Sequence, residues 1–249
     1  MTYSVILPTL NEKGHIVELI QNIRFVFSKI SKEYEIIIID DNSTDGTIDL
    51  IKNVARDYKN IKLFVRHGLK KNLANSINLG IERSKYENII WMDADFQHPP
   101  DYIEFFHDYQ KTNDLVIFSR FLKKSIRYFQ IDKSKKEPGE NEKQSLFFNK
   151  MCNFFLYKDI TDYTSGFVCV KRKIFDNYKL KGNYGDYFVN FVIYCKLNNF
   201  SIIELPFIEK ERRTGSSKTT MGRPIHYFFL SIHYFFSLIN NIFRKTLSR

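Results

Sequence analysis

Short apolar runs recur along the first half of the chain, each closed by a polar cluster and followed by a stretch with helical spacing. Residues 4–7 read as a buried strand ending at Pro8, after which Asn11 is placed to cap a helix carrying Ile16, Ile20, Ile23 and Phe27 on one face. Residues 34–39 form a second apolar run. The turn-forming cluster Asp40-Asp41-Asn42-Ser43-Thr44-Asp45-Gly46-Thr47 breaks it and leads into a helix over residues 47–58. The same alternation predicts strands at 61–65, 89–92 and 115–118 and helices at 72–83 and 100–110, the last with Ile103 and Phe106 facing inward.

Strands that alternate with helices pair side by side, so the fold class expected is α/β, a mostly parallel doubly wound sheet with helices on both faces. In such sheets ligands bind beyond the carboxyl ends of the strands. The polar clusters Asn11-Glu12, Asp40-Asp41 and Asp93-Ala94-Asp95 each follow a strand, which puts three acidic loops on one rim.

The stretch Trp91-Met92-Asp93-Ala94-Asp95-Phe96-Gln97-His98-Pro99-Pro100 gives that rim its chemistry. Alternate residues on an extended backbone point the same way. Asp93 and Asp95, with the Gln97 amide oxygen, are therefore placed to converge on one Mg2+ or Mn2+ that also holds substrate phosphates. An Asp-x-Asp pair alone reads more readily as two solvated acids in a loop; its position beside two other acidic loops favours the ion. Neither a Gly-x-Gly-x-x-Gly after the first strand nor a Gly-x-x-x-x-Gly-Lys-Ser/Thr occurs, so a bound diphosphate would rely on a cation for neutralisation.

Composition narrows the setting. A chain of 249 residues with 43% hydrophobic content can bury the core of one large α/β domain. Cys152, Cys169 and Cys195 lie far apart without paired spacing, as reduced core thiols do. The N-terminus enters a strand without a signal peptide, which points to the cytosol. The net charge of +10 is local: residues 120–150 hold nine Lys/Arg against four Asp/Glu, and residues 205–249 hold eight against two. Without an aromatic-basic RNA motif or a recognition-helix pattern, no nucleic acid is expected; anionic lipid or a phosphorylated substrate accounts for two basic patches.

Residues 224–243 carry no formal charge and are rich in Phe, Leu and Ile. At about 100° per residue, His226, His233, Ser237, Asn240 and Asn241 fall on one narrow face, with Ser231 the outlier. This is an amphipathic helix, and with the closing Arg244-Lys245 it suits the membrane interface more than a full span. A single span and packing against the core or a dimer partner stay open. His226 and His233 lie about 10 Å apart along the helix, too far to share an ion.

Five ordered segments carry a resemblance: Val5-Ile6-Leu7-Pro8-Thr9-Leu10-Asn11-Glu12, residues 39–47, Asp93-Ala94-Asp95-Phe96-Gln97-His98-Pro99-Pro100, Thr164-Ser165-Gly166-Phe167, and Arg212-x-x-Gly215-x-Ser217-Lys218. Over residues 3–220 the chain resembles the inverting glycosyltransferases of family 2, most closely the dolichol-phosphate mannosyltransferase and polyprenyl-phosphate glycosyltransferase branch. The resemblance implies a GT-A type, Rossmann-like domain over residues 1–220, and the charge-free aromatic pattern of 224–243 makes residues 221–249 a membrane-associated tail. The resemblance also implies a nucleotide-sugar donor (GDP-mannose or UDP-glucose), Mg2+ or Mn2+, and a polyprenyl or dolichyl phosphate acceptor on the cytoplasmic side of a membrane; a homo-oligomer is left open.

By that resemblance, Pro8, Asn11 and Glu12 line the nucleoside pocket, Asp41 holds the base or ribose, and Asp93, Asp95 and Gln97 bind metal or donor phosphate. Arg120 faces the acceptor phosphate, Ser145 belongs to an acceptor loop, Ser165 lies at the sugar, and Arg212 and Lys218 sit on a loop closing over both substrates. Two positions depart from the pattern. Asn141, with Lys143 nearby, stands where relatives carry an arginine, and a Lys is a point charge without a bidentate fork. Asn190 stands where they tend to carry Glu, leaving Asp186 as the nearest carboxylate if a base is required. Two other readings remain: a family 2 enzyme acting on a glycan or soluble acceptor, and a catalytically weakened nucleotide or lipid-surface binding module.

Overall fold

The computed structural model describes residues 1–31, 33–68, 71–122, 140–182, 185–210 and 224–247, and within these it does not describe the side chains of 140–144 and 224–235. Among the described residues, seven strands form one sheet: β1 (Tyr3–Thr9), β2 (Tyr34–Asp40), β3 (Ile61–Val65), β4 (Asn88–Trp91), β5 (Leu115–Ser119), β6 (Val168–Lys171) and β7 (Ile202–Pro206). Their order is β3-β2-β1-β4-β6-β5-β7, with every pairing parallel except the two made by β6. The helices are α1 (Ile16–Ile30), α2 (Thr47–Asp57), α3 (Leu73–Arg83), α4 (Ile103–Tyr109), α5 (Glu140–Phe155), α6 (Asp186–Leu197) and α7 (Pro224–Leu247).

The period-2 alternation of the strands divides the core in two. Ile6, Ile37, Ile39 and Trp91 face α3 and α6, whereas Val5, Leu7, Ile36 and Ile38 face α1, and Phe118 packs with Phe106 of α4. Helices thus cover both faces, as the pattern predicts. Pro8 lies inside β1, opposite Ile39, instead of ending it. The Tyr3 N–H bonds toward β2 through Glu33 O, and Ile6 O bonds toward β4 through Met92, so residue 8 turns its nitrogen to the β4 side. The β4 ladder has already stopped at Ile6, and the N–H that proline lacks is not needed there.

Two helix starts differ from expectation. Asn11 is not the cap of α1: the helix begins at Ile16, and its first turn is closed by the Glu12 carbonyl, which accepts from the N–H groups of His15 and Ile16. The helix expected over 100–110 opens as a 3-10 turn at Pro100–Tyr102 before α4. β6, β7, α5 and α6 had no counterpart in the hydrophobic pattern.

In α7, Ser237, Leu238 and Asn241 are buried while Phe236 and Phe243 are exposed, so polar groups of the stripe turn toward the protein and aromatic rings turn away. Among the described residues, no helix is long and apolar enough to cross a membrane. The expected boundary at residues 220–221 and the basic segment 123–139 lie outside the described residues.

Candidate active site

Because β6 alone runs backward, the carboxyl ends of the other strands and the approach to β6 meet at one rim. At the first corner the backbone N–H of Asn11, held at φ 56, donates to Ser43 Oγ (2.8 Å), and Asn11 Oδ1 accepts from the Thr44 N–H (2.9 Å). The Glu12 N–H donates to Thr47 Oγ1 at 2.9 Å, and its buried carboxylate lies 2.9 Å from the His15 ring. Asn11 and Glu12 therefore stitch the β1 loop to the β2 loop. Buried Asp40 accepts from the N–H and Oγ of Ser43; burial raises its pKa above the usual carboxylate value against those hydrogen bonds.

Asp41 is held from the α3 side. One oxygen accepts from Arg66 Nη1 (2.6 Å) and Ser76 Oγ (2.8 Å), and the other accepts from the Asn72 N–H (3.3 Å). Asn72 is the N-cap of α3, its side chain accepting from the Asn75 N–H. The carboxylate expected to hold the nucleoside is thus pre-positioned by a largely buried guanidinium and the first turn of α3.

At the end of β4 the backbone leaves the extended state. Residues 94–98 form a bend with Phe96 at φ 66, and Asp95 Oδ1 accepts the Gln97 N–H at 3.0 Å. The alternation expected to align Asp93, Asp95 and Gln97 does not hold; a local side-chain-to-backbone turn places them instead. Asp95 is buried, and Asp93 is partly so. The Asp93 N–H donates to His98 Nδ1 (2.9 Å), which leaves the ring proton on Nε2. His98 stacks on Phe167, with ring centroids 4.8 Å apart, and its burial depresses the imidazole pKa to about 4 against the pull of Glu209 and Asp95. The ring beside the acidic pair is therefore uncharged at neutral pH.

Arg120, directly after β5, brings a second cation to this rim. Its Nε and Nη2 donate to the two oxygens of Asp162 at 2.8 and 2.9 Å, Nη2 also donates to Thr164 Oγ1 (2.7 Å), and Nη1 lies 3.8 Å from Glu209. Asp162 is fully buried. Desolvation pushes its pKa up, but the Arg120 charge and the hydrogen bonds outweigh this and hold it below the usual carboxylate range. Glu209 is raised by burial, pulled back by Arg120 and His98, and pushed up again by Asp162 and Asp93.

Ser145 reaches this network through Thr164, its Oγ 3.2 Å from Thr164 Oγ1, where Asn149 also donates. Ser165 is buried; its hydroxyl donates to the Phe118 carbonyl and accepts from the Phe167 N–H, so it joins β5 to the start of β6. The Lys143 side chain, Arg212 and Lys218 lie outside what the structure describes.

Sequence reasoning did not single out Arg66, His98, Asp162, Thr164 or Glu209 as functional residues. His98 and Thr164 stood inside quoted motifs without a role, and Asp162 stands two residues before Thr164. Glu209 had no signal, since it follows a strand that the pattern did not reveal.

Among the described residues, the rim combines hard oxygen donors with two positioned guanidinium groups, Arg66 and Arg120. Comparison with known proteins identifies the family. Residues 4–179 match the family described as Glycosyl transferase family 2. The dolichol-phosphate mannosyltransferase of Pyrococcus furiosus is 26% identical over 220 residues, covering 88% of this chain and 59% of that protein. The dolichol-phosphate mannosyltransferase of Saccharomyces cerevisiae is 33% identical over 115 residues, 44% of this chain and 43% of that protein. The chain thus matches less than two thirds of either relative's length. Among solved structures, glucosyl-3-phosphoglycerate synthase from Mycobacterium tuberculosis, crystallised with Mn2+, uridine diphosphate and phosphoglyceric acid, shares the fold. Its TM-score is 0.70 at 16% identity, over 97% of this chain and 78% of that one. With the sheet mostly parallel, the acidic loops gathered at its rim and the family match running through most of the strands, the chain belongs to glycosyl transferase family 2.

Proposed function

We propose that this protein transfers a hexose, with inversion, from a nucleotide sugar to a polyprenyl or dolichyl phosphate at a membrane surface. The observation that carries the reading is the meeting, at one rim, of the Asp93/Asp95 pair with an arginine locked in place by a buried carboxylate. Kinship with the dolichol-phosphate mannosyltransferases favours GDP-mannose as donor.

The donor set suits a hard divalent cation. Among the described residues, no three His, Cys, Asp or Glu side chains form a metal-binding group. Asp93 and Asp95, with Gln97, would hold Mg2+ or Mn2+ in company with diphosphate oxygens and water. Such an ion supplies neutralisation of the departing diphosphate. Asp93 and Asp95 lie in the electrostatic environment of Glu209 and His98, and with His98 neutral no protonated imidazole competes for the site.

The chain's own groups do the rest. Asp41, fixed by Arg66 and Asn72, is placed to accept a hydrogen bond from the nucleoside. Arg120 cannot swing, since Asp162 grips it through two bonds, so the guanidinium meets an anionic acceptor without the entropy loss of a mobile side chain. A lipid phosphate is already an anion at neutral pH. It attacks the anomeric carbon as the bond to the diphosphate breaks, and with no hydroxyl to deprotonate it needs positioning more than a general base. The aromatic rings that α7 turns outward support a seat at the bilayer interface.

The test is radiolabel transfer from GDP-mannose or UDP-glucose into an organic-extractable lipid by the full chain with a short polyprenyl phosphate and Mn2+. Parent activity and a loss of at least about 100-fold in Asp95→Ala are expected. Retained transfer in Asp95→Ala rejects the metal role. Transfer to a water-soluble acceptor without detergent, and none to lipid, overturns the choice of acceptor.

A further inference from the structure

Between β6 and α6 the chain passes through a short strap, residues 180–182, whose three successive carbonyls are each held by an asparagine carboxamide. Asn78 Nδ2 donates to the Leu180 carbonyl (2.9 Å) and its Oδ1 accepts the Leu180 N–H (2.9 Å). Asn190 Nδ2 donates to the Lys181 carbonyl (3.0 Å), and Asn72 Nδ2 donates to the Gly182 carbonyl (3.0 Å). Two of these asparagines belong to the α3 segment and the third sits on α6. Gly182 is pressed against the start of α6 so closely that a Cβ there would meet the Tyr187 backbone nitrogen at 2.5 Å. The strap has no slack on either side.

Each end of this clamp leads to a different part of the molecule. Asn72 is the residue whose backbone N–H binds Asp41 and whose carbonyl accepts from Arg66, so the strap bears on the nucleoside corner. Asn190 uses its other atom on the C-terminal helix: its Oδ1 accepts from Asn241 Nδ2 (2.8 Å) and Ser237 Oγ (3.3 Å) of α7. One side chain therefore holds the strap with its nitrogen and α7 with its oxygen. The junction is also imperfect. Asn241 is fully buried, yet its Oδ1 finds no hydrogen-bond partner among the described residues, a cost that a different seating of α7 would relieve. The outward face of the same helix carries exposed Phe236 and Phe243.

We propose that Asn190 is a positioning residue that couples the seating of α7 on a lipid surface to nucleotide binding at the Asp41 corner, through the strap at residues 180–182. It rests on the reading of a membrane-bound, nucleotide-sugar enzyme given above and adds to it a linkage between the two binding events. An outward pull on α7 changes what Asn190 Oδ1 must accept, and the carboxamide passes the change to Lys181 and so to Asn72. Linkage is reciprocal, so nucleotide must strengthen lipid binding by the factor by which lipid strengthens nucleotide binding.

The experiment uses the full chain and vesicles of phosphatidylcholine and phosphatidylglycerol at about three to one. GDP and UDP affinities are measured by calorimetry with Mn2+, with and without vesicles, and vesicle partition is measured with and without nucleotide. In the parent, vesicles should tighten nucleotide binding by at least about five-fold, and partition should shift by the same factor. In Asn190→Ala both shifts should fall below about two-fold while each ligand still binds on its own. Asn241→Ala leaves the bond to the strap intact and should abolish the coupling likewise, which covers an Asn190→Ala chain that fails to fold. A parent that binds both ligands without mutual effect, a parent that does not bind vesicles, or variants that keep the parent's shift overturn the coupling. A parent that binds neither nucleotide overturns the functional reading itself.

Discussion

Arg120 and Asp162 are partners of unequal exposure: the carboxylate has none, and the guanidinium retains a little. Removing one charge of such a pair leaves the other uncompensated, which costs more than the pair contributes intact. Asp162→Asn should lower unfolding free energy by about 3 kcal/mol in urea titrations and weaken use of the acceptor more than binding of the donor. Glu204, on β7, accepts from the Thr161 and Asp162 N–H groups and from Thr161 Oγ1, yet burial raises its pKa from 4.5 to about 6. Between those values the folded chain holds a proton that the unfolded chain has released, so stability declines as pH rises across that window. The total is about 2 kcal/mol. Urea midpoints at pH 5 and pH 7 should therefore differ less in Glu204→Gln than in the parent.

The positions of individual residues were partly legible in their order alone. Asp93, Asp95 and Arg120 follow strands, and any residue that follows a parallel strand reaches the same rim. Which atoms they face was not legible. Asp95 is set by a turn with Gln97, and Arg120 by a carboxylate 42 positions away, and neither relation leaves a periodic trace.

At the scale of elements, the first five strands and the helices between them were readable because each apolar run is bounded by turn formers. β6 and β7 were not: β6 has four residues and pairs antiparallel with strands far from it in sequence, so no local rhythm announces it. Close helix-to-sheet approach is equally silent in composition. A Cβ at Gly80 of α3 would collide with Ile6 Cγ2 of β1. Alanine gains about 1 kcal/mol over glycine in a helix interior, but forced overpacking costs about 1–3 kcal/mol. Gly80→Ala should therefore be destabilising by thermal unfolding, and in an Ile6→Ala background the same change should be neutral or stabilising.

For the whole molecule, the notable surface is aromatic. Phe147 and Phe154 on α5 and Phe236 and Phe243 on α7 are each at least 60% exposed, and Lys245 of α7 donates to the carbonyls of Phe155 and Leu156 where the two helices meet. If the proposed membrane seat is right, replacing Phe154 and Phe243 together by Ser should weaken vesicle partition by at least about ten-fold, since each ring would bury apolar area in the bilayer. Stability in solution should shift by no more than about 0.5 kcal/mol, because exposed side chains give up little on truncation.

The reversed strand β6 also imposes an order of assembly. As the polypeptide leaves the ribosome, β1 to β4 find their neighbours through short crossovers, while β5 waits about fifty residues for the piece that inserts beside it. Until then β4 is a bare edge, open to unwanted strand pairing. A nascent chain would thus acquire its Asp41 corner first and the Arg120–Asp162 grip last, which makes the antiparallel insertion the point where slow maturation or misassembly is decided.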